Sequence, residues 1–402
     1  MDNGKRNEGL LETRRQTPHP ATRLRDDYSL CRLCLKRNPG PVRPRQRRPP
    51  TAEARCDICR GLMPQLDSIT AKIIAASGRY DFKTFLIGAV LPTQIYERED
   101  ALRALLKIRG IENVKGQFTR ELGMRLARST GRIVDYQRPD LTISITVDKE
   151  NSVSIAMRSR PLMFLGNYTK KVRGFAQKHQ RCRHCEGRGC ETCELTGLEK
   201  GDDSVESVVS RALVSRTGGQ VPRYSWIGSE DRDSLVLGRG RPFYVRVFDP
   251  KKRALLRQLH VRGAGIYAKL SLVDDSEEQI EAQIRFAVRT RIIIRAERPV
   301  LRQDLIRLQQ SLAGKEVSLE NKGRMVTKKV YAARATKAQS KDNSEFMLVI
   351  DADGGLSIKQ FVGGEQYSKP SVSEIIGAKC HCVNFDILAV TFLSDADKLS
   401  FA

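Results

Sequence analysis

The residues best suited to chemistry in this sequence are the acidic side chains of a short turn, Gly228–Asp233 (GSEDRD). An apolar alternation begins after Pro242, and this pattern predicts a loop that leads into a β-strand. Asp231 would then lie at the edge of a sheet, where its carboxylate faces whatever the sheet binds. The same Glu-Asp-x-Asp pattern is also typical of a solvated loop. This stretch by itself therefore leaves a chemical role and a solvated loop both open.

Eight of the ten cysteines fall into Cys-x-x-Cys motifs, which in a reducing compartment are typical of metal or redox sites rather than disulfides. Each set offers four thiolates, the first from Cys31, Cys34, Cys56 and Cys59, and the second from Cys182, Cys185, Cys190 and Cys193. The first set has a spacing close to that of zinc ribbons, and zinc there would stabilise a segment too poor in apolar residues to fold unaided. The second set could hold another zinc ion, and unligated thiols are the alternative for both. We therefore expect one structural zinc ion and leave a second site open.

The charge of the chain indicates a polyanionic partner. Lys and Arg number 71 against 47 Asp and Glu, which gives a formal net charge of +24 over 402 residues. A surplus of this size along the whole length is typical of phosphate-binding proteins, although a merely basic protein would show it too. No apolar run approaches the ~20 residues of a membrane span, and the start has no signal-peptide core. We expect a cytoplasmic protein with no membrane partner.

Apolar periodicity predicts helices mixed with strands. Leu141–Val147 and Val153–Met157 alternate apolar and polar residues on either side of a turn, which predicts a hairpin with one face on a core. Pro299 opens a helix whose leucines recur at helical spacing, and Glu345–Ile350 has the pattern of a buried strand. Helices that cross between separated strands indicate an α+β fold. No strand is followed by a Gly-rich cofactor loop, which disfavours a methyltransferase.

Several motifs together resemble one family. The Gly228–Asp233 turn with Leu237–Phe243 (LGRGRPF) is similar to the GREDxDVR…LGxGRPF signature of the Pus-ten family, the tRNA pseudouridine synthases of archaea and eukaryotes. Other stretches recur in the family in the same order, namely Arg138–Asp140, Asn167–Gly174, Cys182–Gly197, Gly355–Lys359 and Lys369–Glu374. The resemblance covers roughly residues 75–390.

The resemblance implies an enzyme that isomerises uridine to pseudouridine, at one or both of two adjacent uridines in the TΨC arm of tRNA. The reaction needs no cofactor. The family's catalytic acid corresponds to Asp231, which acts as nucleophile or stabilises the sugar intermediate. Its cationic partner corresponds to Lys359, which would keep that carboxylate ionised. Leu356 would form an apolar wall against the base, which must be flipped out of the folded RNA. The implied partner is tRNA, and we expect a monomer without an obligate protein partner.

Basic residues along the chain are candidates for contacting the RNA. In the catalytic half they are Arg241, Arg324, Lys328 and Lys329, and the segment Arg324–Lys329 resembles a family loop that inserts into the tRNA. In the first half they are Arg158, Arg160, Lys170, Lys171 and Arg173. For the residues of the first half, an ordinary solvated charge is the alternative.

Three positions depart from the family pattern. The arginine after the signature glycine is Ser229, which removes a contact to a phosphate or to the loop. The family's substrate-binding tyrosine corresponds to Thr290, and a second family tyrosine corresponds to Ser357. An aromatic ring there would stack on the uracil, worth about 1–3 kcal/mol per base. Either Tyr267 or Tyr331 substitutes for it in space, or turnover is impaired.

The motifs divide the chain into five segments. These are a basic disordered arm (1–30), a zinc-binding segment (31–75), a THUMP-like RNA-binding α/β domain (76–180), a Cys-rich linker (181–200) and a catalytic domain (201–402). The predicted class is α+β, with a zinc ribbon and THUMP-like domain before a pseudouridine-synthase domain on an open mixed or antiparallel sheet. The first hypothesis is an active enzyme, because Asp231 and Lys359 are both present. The second is a catalytically impaired tRNA-binding or RNA-chaperone protein of the same fold.

Overall fold

In the computed structural model of the chain, the predicted hairpin forms one side of a sheet in the first 160 residues. The strands of this sheet are β1 (Thr84–Val90), β2 (Ile133–Val134), β3 (Leu141–Val147) and β4 (Val153–Ser159). They lie in the order β2-β1-β3-β4, in which β1 runs parallel to β2 and β3, and β3 pairs antiparallel with β4. The pairing is mixed because helices connect β1 to β2, whereas a short turn joins β3 to β4.

The helices described in this unit are α1 (Arg32–Arg37), α2 (Leu66–Ser77), α3 (Thr93–Leu106) and α4 (Val114–Thr130). The sequence defines both ends of α4, since Asn113 accepts a hydrogen bond from the Gly116 amide at 2.6 Å and Gly131 adopts a left-handed conformation. Phe118, Leu122 and the rest of its apolar stripe are buried. The cysteines of the first set belong to the same core, so the described parts of the predicted zinc-binding segment pack within this unit.

The structure describes residues 28–39, 56–186, 188, 190–193, 199, 204–254, 257–273, 285–321, 323–338, 343–364 and 368–393. The predicted N-terminal arm lies outside these residues except for its last three positions. Across the described ranges, no helix combines the length and apolar character needed to cross a membrane.

The second unit, residues 161–402, is built on a large mixed sheet. Its strands are β5 (Leu162–Lys170), β6 (Arg223–Trp226), β7 (Val236–Val247), β8 (Gln258–Gly263), β9 (Ile266–Val273), β10 (Phe286–Ala296), β11 (Glu316–Asn321), β12 (Arg324–Lys337), β13 (Glu345–Asp353) and β14 (Cys380–Phe392). They lie in the order β11-β12-β13-β10-β14-β7-β5-β9-β8, with β6 beside β7. The neighbours are antiparallel except for β14 and β7. The predicted α+β class with an open mixed sheet is confirmed.

The two halves of this sheet meet where Ile387 of β14 pairs with Val236 of β7. Helix α5 (Val205–Thr217) shares a core with β5, β7, β8 and β9 on one side of this junction. On the other side lie α6 (Arg302–Leu312), α7 (Ile358–Gly363) and α8 (Val372–Ile376), in a core with β10, β12 and β13. Each half therefore has its own helices, and side chains from both halves meet at the junction.

The boundary between the units differs from the predicted one. Strand β5 lies between β7 and β9, so residues 161–180, predicted as the end of the THUMP-like domain, belong to the second unit. The predicted Cys-rich linker, 181–200, is also part of that unit. Sequence periodicity does not report this arrangement, because β5 pairs with strands that come much later in the chain.

Candidate active site

The turn that carries Asp231 leads into β7 at the junction of the two sheet halves. Gly228 adopts a φ of +77°, a left-handed conformation that favours glycine. Hydrogen bonds connect backbone atoms of the turn to one another, to the segment after β5 and to a side chain of β14. These bonds are Ser234 N to Asp231 O (3.1 Å), Phe175 N to Arg232 O (3.1 Å) and Leu235 N to Asp386 Oδ1 (3.0 Å). They give Asp231 a defined position.

Asp231 forms an ion pair with Lys359, whose Nζ contacts its Oδ2. Lys359 projects from α7, which follows the turn at Gly354–Gly355 after β13. The hydrogen bond from the lysine, and its charge, hold the pKa of the Asp231 carboxyl below its usual value, and the pair raises the pKa of Lys359. The side chain of Asp231 is 30% exposed and that of Lys359 is 67% exposed, so a ligand can reach both. The structure therefore brings together the two residues predicted to act in catalysis.

A cavity of about 490 Å³ opens beside this ion pair. Its walls combine polar groups with apolar side chains, and the apolar ones include Val288, Leu319, Ile350, Leu356 and Ile387. Thr290 and Ser357, which the family resemblance relates to tyrosines, also line it. Apolar side chains beside charged and polar groups suit a planar ring that is attached to a polar group.

Two phenylalanines supply the aromatic surface of the cavity, Phe286 and Phe385. Among the described residues that line it, neither Tyr267 nor Tyr331 is present. Tyr267 lies on β9, and Tyr331 on β12 donates a hydrogen bond to Asp353 at 2.6 Å. Of the two alternatives, substitution by one of these tyrosines has no support among the residues that line the cavity, where the rings come from β10 and β14.

Glu230, beside Asp231, belongs to a buried network that holds the turn. Its carboxylate lies 2.9 Å from Lys170 Nζ, both side chains are fully buried, and it accepts a hydrogen bond from Tyr168 at 2.8 Å. Lys170 also donates to the carbonyl oxygens of Asp231 and Arg232, at 3.2 Å each. The prediction that Lys170 contacts phosphates is wrong, because its ammonium is enclosed by protein. Sequence reasoning missed this role, since an isolated lysine resembles a solvated charge.

The other predicted RNA contacts divide into enclosed and exposed residues. Three are enclosed or paired: Arg160 lies 3.1 Å from Asp140, Arg173 lies 2.9 Å from Asp386, and Arg241 is buried against the cavity. Arg158 and Lys171 are exposed, so a phosphate could reach them.

The basic segment Arg324–Lys329 forms the start of β12, not the predicted loop. It pairs antiparallel with β11 in a hairpin, because its alternation of side chains suits a strand. Arg324 and Lys329 are exposed. The Nζ of Lys328 lies 3.4 Å from the position that a Cβ would take at Gly355, which lines the cavity. Lys328 thus reaches the rim of the cavity.

Both cysteine sets are assembled in space. In each set the four Sγ atoms lie within 4.8 Å of one another. Individual S–S distances are 3.8 Å for Cys31–Cys59, 3.9 Å for Cys182–Cys190 and 3.7 Å for Cys185–Cys193. Tetrahedral zinc with Zn–S bonds of about 2.3 Å separates its sulfurs by about 3.8 Å. Both donor sets therefore fit zinc.

Arg37 connects the first cysteine set to the helices of its unit. Its Nη2 donates to Cys34 Sγ at 3.4 Å, and its Nε donates to Glu99 Oε1 at 2.5 Å. A cation beside a sulfur favours the thiolate, which is the form that binds metal.

Both units of the chain resemble known protein families. Residues 163–391 match the family model described as "Pus10, C-terminal", and residues 69–146 match "Pus10 THUMP domain, archaeal". The curated tRNA pseudouridine synthase Pus10 of Nitrosopumilus maritimus is 32% identical over 340 residues, covering 83% of this chain and 84% of that protein. The protein of the same name from Methanosphaera stadtmanae is 28% identical and covers 92% and 97%, respectively. That from Archaeoglobus fulgidus is 27% identical and covers 84% and 95%.

Proposed function

The chain belongs to the Pus10 family of tRNA pseudouridine synthases, and we propose that it modifies the TΨC arm of tRNA with Asp231 as its nucleophile. The protein is an RNA pseudouridine synthase, an isomerase. The observation that supports the finer assignment is the Asp231–Lys359 ion pair beside a cavity that also has apolar and aromatic side chains in its walls. A tRNA substrate supports a cytoplasmic location.

The reaction moves the bond between sugar and base from N1 to C5 of the uracil. The uridine first leaves the RNA stack and enters the cavity. Asp231 then attacks C1′ of the ribose, and the electrons of the C1′–N1 bond pass to the uracil. After the base rotates, C5 displaces the carboxylate at C1′. C5 loses a proton and N1 gains one, so the product is an isomer of the substrate.

The cavity walls support an active enzyme over a catalytically impaired relative. Phe286, Phe385 and Leu356 line the cavity and offer apolar surface to a base, although by the family resemblance Thr290 replaces a tyrosine. Stacking on an aromatic ring contributes about 1–3 kcal/mol per base. The loss of one ring at position 290 therefore leaves other rings to hold the uracil.

The charges around the site support binding of the RNA backbone. Lys328 lies at the cavity rim, and Arg324 and Lys329 are exposed on the same hairpin. Cations at these positions would bind phosphates that flank the extruded nucleotide. In the first unit, the THUMP domain supports a further contact to tRNA.

Position-resolved mapping tests the proposed target. The purified protein is incubated with an unmodified tRNA transcript, with the isolated TΨC-arm hairpin and with an anticodon-arm hairpin of equal length. We expect pseudouridine in the TΨC arm of the full tRNA and none in the anticodon hairpin. Pseudouridine confined to another arm would contradict the target, and tight binding without product would favour the RNA-chaperone alternative.

We also propose that both cysteine sets hold structural zinc, which takes no part in the isomerisation. The sulfur distances and the cation beside Cys34 support this proposal. Zinc would tie Cys31–Cys34 to Cys56–Cys59 across a segment that has little apolar surface of its own. In the second unit, zinc bound by the second cysteine set would hold together the short segment that follows β5.

Metal analysis should find two zinc ions per chain. Cys34→Ser and Cys193→Ser should each remove one ion, because a tetrahedral site with three remaining thiolates binds zinc far more weakly. Cys34→Ser should also lower the melting temperature. Cys382→Ser, which changes a thiol outside both sets, is the matched control and should keep both ions. A metal-free chain that unfolds at the same temperature would contradict the zinc proposal.

Lys170→Met should slow turnover without weakening tRNA binding. The ammonium holds the backbone of Asp231 and Arg232, so its loss lets the nucleophile move while the RNA contacts remain. We expect kcat to fall about 10²-fold, since small displacements of a reacting group have effects of this size. The variant should also lose about 3–5 kcal/mol of stability, because it leaves the Glu230 carboxylate buried and unpaired.

The double variant Lys170→Met/Glu230→Gln separates these two effects. Removing both buried charges should restore most of the stability, whereas the low kcat should persist because the backbone bonds are still missing. Recovery of kcat together with stability would show that Lys170 acts through folding alone.

A further inference from the structure

Arg241 is a buried cation, and two of its three donor nitrogens have no acceptor in the part of the chain that the structure describes. It projects from β7 and is 2% exposed. Within the ranges that the structure describes, neither its Nε nor its Nη1 has a hydrogen-bond partner. The carboxylate of the neighbouring Glu230 forms an ion pair with Lys170 and accepts a hydrogen bond from Tyr168. The guanidinium therefore carries at least two N–H donors that the fold itself does not use.

The side chain of Arg241 borders the cavity that Asp231 faces. Arg241 and Gly228 both line this cavity. A Cβ at Gly228 would lie 3.5 Å from Nη1 and 3.2 Å from the ring of Phe286, so the glycine keeps the space beside the guanidinium open. Burying a charge without a partner is strongly unfavourable. A ligand that enters the cavity would supply the missing acceptor.

The surroundings favour a base over a phosphate as that ligand. Val288, Ile350 and the two phenylalanines place apolar side chains on the cavity walls, which suits the faces of a planar ring. A phosphate would keep more of its hydration at the rim, near Lys328. The edge of a uracil carries two carbonyl oxygens, which accept hydrogen bonds but need no counter-ion in the ground state.

We infer that Arg241 is a catalytic residue that donates to a carbonyl oxygen of the extruded uracil and stabilises the charge that the base acquires. The inference rests on the proposed function. When the C1′–N1 bond breaks, its electron pair stays on the uracil and is shared among N1, O2 and O4, while C1′ bonds to Asp231. C5 then displaces the carboxylate, and N1 gains a proton as C5 loses one. The guanidinium thus binds the charged intermediate more tightly than the substrate.

The symmetry of the ring makes one fixed donor sufficient. Rotation of uracil by half a turn about the axis through N3 and C6 exchanges N1 with C5 and O2 with O4. A donor on one side of the ring therefore meets a carbonyl oxygen before and after the rotation. Arg241 can hold this contact without moving, because it stands on the interior of a paired strand.

Arg241→Met tests whether the guanidinium serves the substrate or the fold. The variant keeps the length of the side chain and removes its charge and donors. We expect a melting temperature no lower than that of the wild type, because no internal hydrogen bond is lost, and a single-turnover rate reduced about 10²–10³-fold. A lower melting temperature, or an unchanged rate, would overturn the inference.

A binding comparison separates a base contact from a phosphate contact. In the Asp231→Asn background, tRNA with the target uridine is compared with tRNA that carries an abasic site at that position. Arg241→Met should weaken binding of the tRNA with the target uridine about tenfold and leave binding of the abasic tRNA unchanged. Equal weakening of both would indicate a phosphate contact and contradict the inference. This comparison measures binding and needs no turnover. If the wild type made no pseudouridine, the proposed function would be refuted, but the binding comparison would still decide whether Arg241 contacts the base.

Discussion

Replacing Asp231 with asparagine is expected to abolish pseudouridine formation while tRNA binding stays intact. Asparagine has nearly the same shape, but its neutral amide cannot attack C1′ of the ribose. Removing the residue that forms the covalent bond should lower the single-turnover rate by at least about 10³-fold. The turn should persist, because its hydrogen bonds use backbone atoms of Asp231 and the side chains of Lys170 and Asp386.

Asp233→Asn is the matched control for this result. It makes the same chemical change two residues away, and its remaining side-chain oxygen can still accept the hydrogen bond from the Gly174 amide, now 3.2 Å long. We expect it to keep most of its activity. Product formation by Asp231→Asn at a rate near that of the control would remove Asp231 from the chemistry.

Lys359→Met has the second largest expected effect. Loss of an electrostatic partner in a catalytic site commonly costs about 10²–10³-fold in rate, and we expect a fall in this range at neutral pH. The tRNA affinity should change little, because the side chain of Lys359 is engaged with Asp231.

The pH dependence of the rate should shift in a defined direction. In the wild type, Lys359 lowers the pKa of Asp231, so the carboxylate stays ionised until the pH falls below the usual range of an aspartic acid. Without the lysine, partial burial raises this pKa, and the acid limb of the pH–rate profile should move to higher pH. Lys359→Arg, which retains a positive charge, should keep the limb near its wild-type position. An acid limb that is the same in all three proteins would show that Lys359 does not control the ionisation.

Local sequence patterns predicted the features that depend on nearby residues. The alternation of Leu141–Val147 and Val153–Met157 predicted the β3–β4 hairpin, and the structure contains it. Leu305, Leu308 and Leu312 form the buried face of α6 as predicted, whereas Leu301 precedes the helix and is exposed. The Cys-x-x-Cys spacing indicated two donor sets, and the thiols of each set are close together. In these cases the periodicity or the short spacing itself fixes the geometry.

The pairing of Asp231 with Lys359 could not be predicted from periodicity. The two residues lie on a turn before β7 and on a helix after β13, and only the fold brings them together. The family resemblance suggested the pair, because it relates both motifs to one site. The sequence also does not indicate which charged side chains are buried, and Lys170 and Arg241 are two that the fold encloses.

The remaining errors come from pairing between distant strands. Strand β5 was assigned to the first domain because it follows the hairpin in sequence, yet it completes the second sheet. The segment Arg324–Lys329 was interpreted as a loop from its resemblance to a family segment, although its partner strand β11 makes it half of a hairpin. The phenylalanines of the cavity were overlooked for the same reason, because β10 and β14 are neighbours only in the folded sheet.

The most direct measurement of the central claim is position-resolved detection of pseudouridine after a single turnover, with wild type and Asp231→Asn loaded to equal fractions of bound tRNA. We expect stoichiometric conversion in the TΨC arm by the wild type and no conversion by the variant. Equal conversion by both proteins, or none by either at full occupancy, would contradict it.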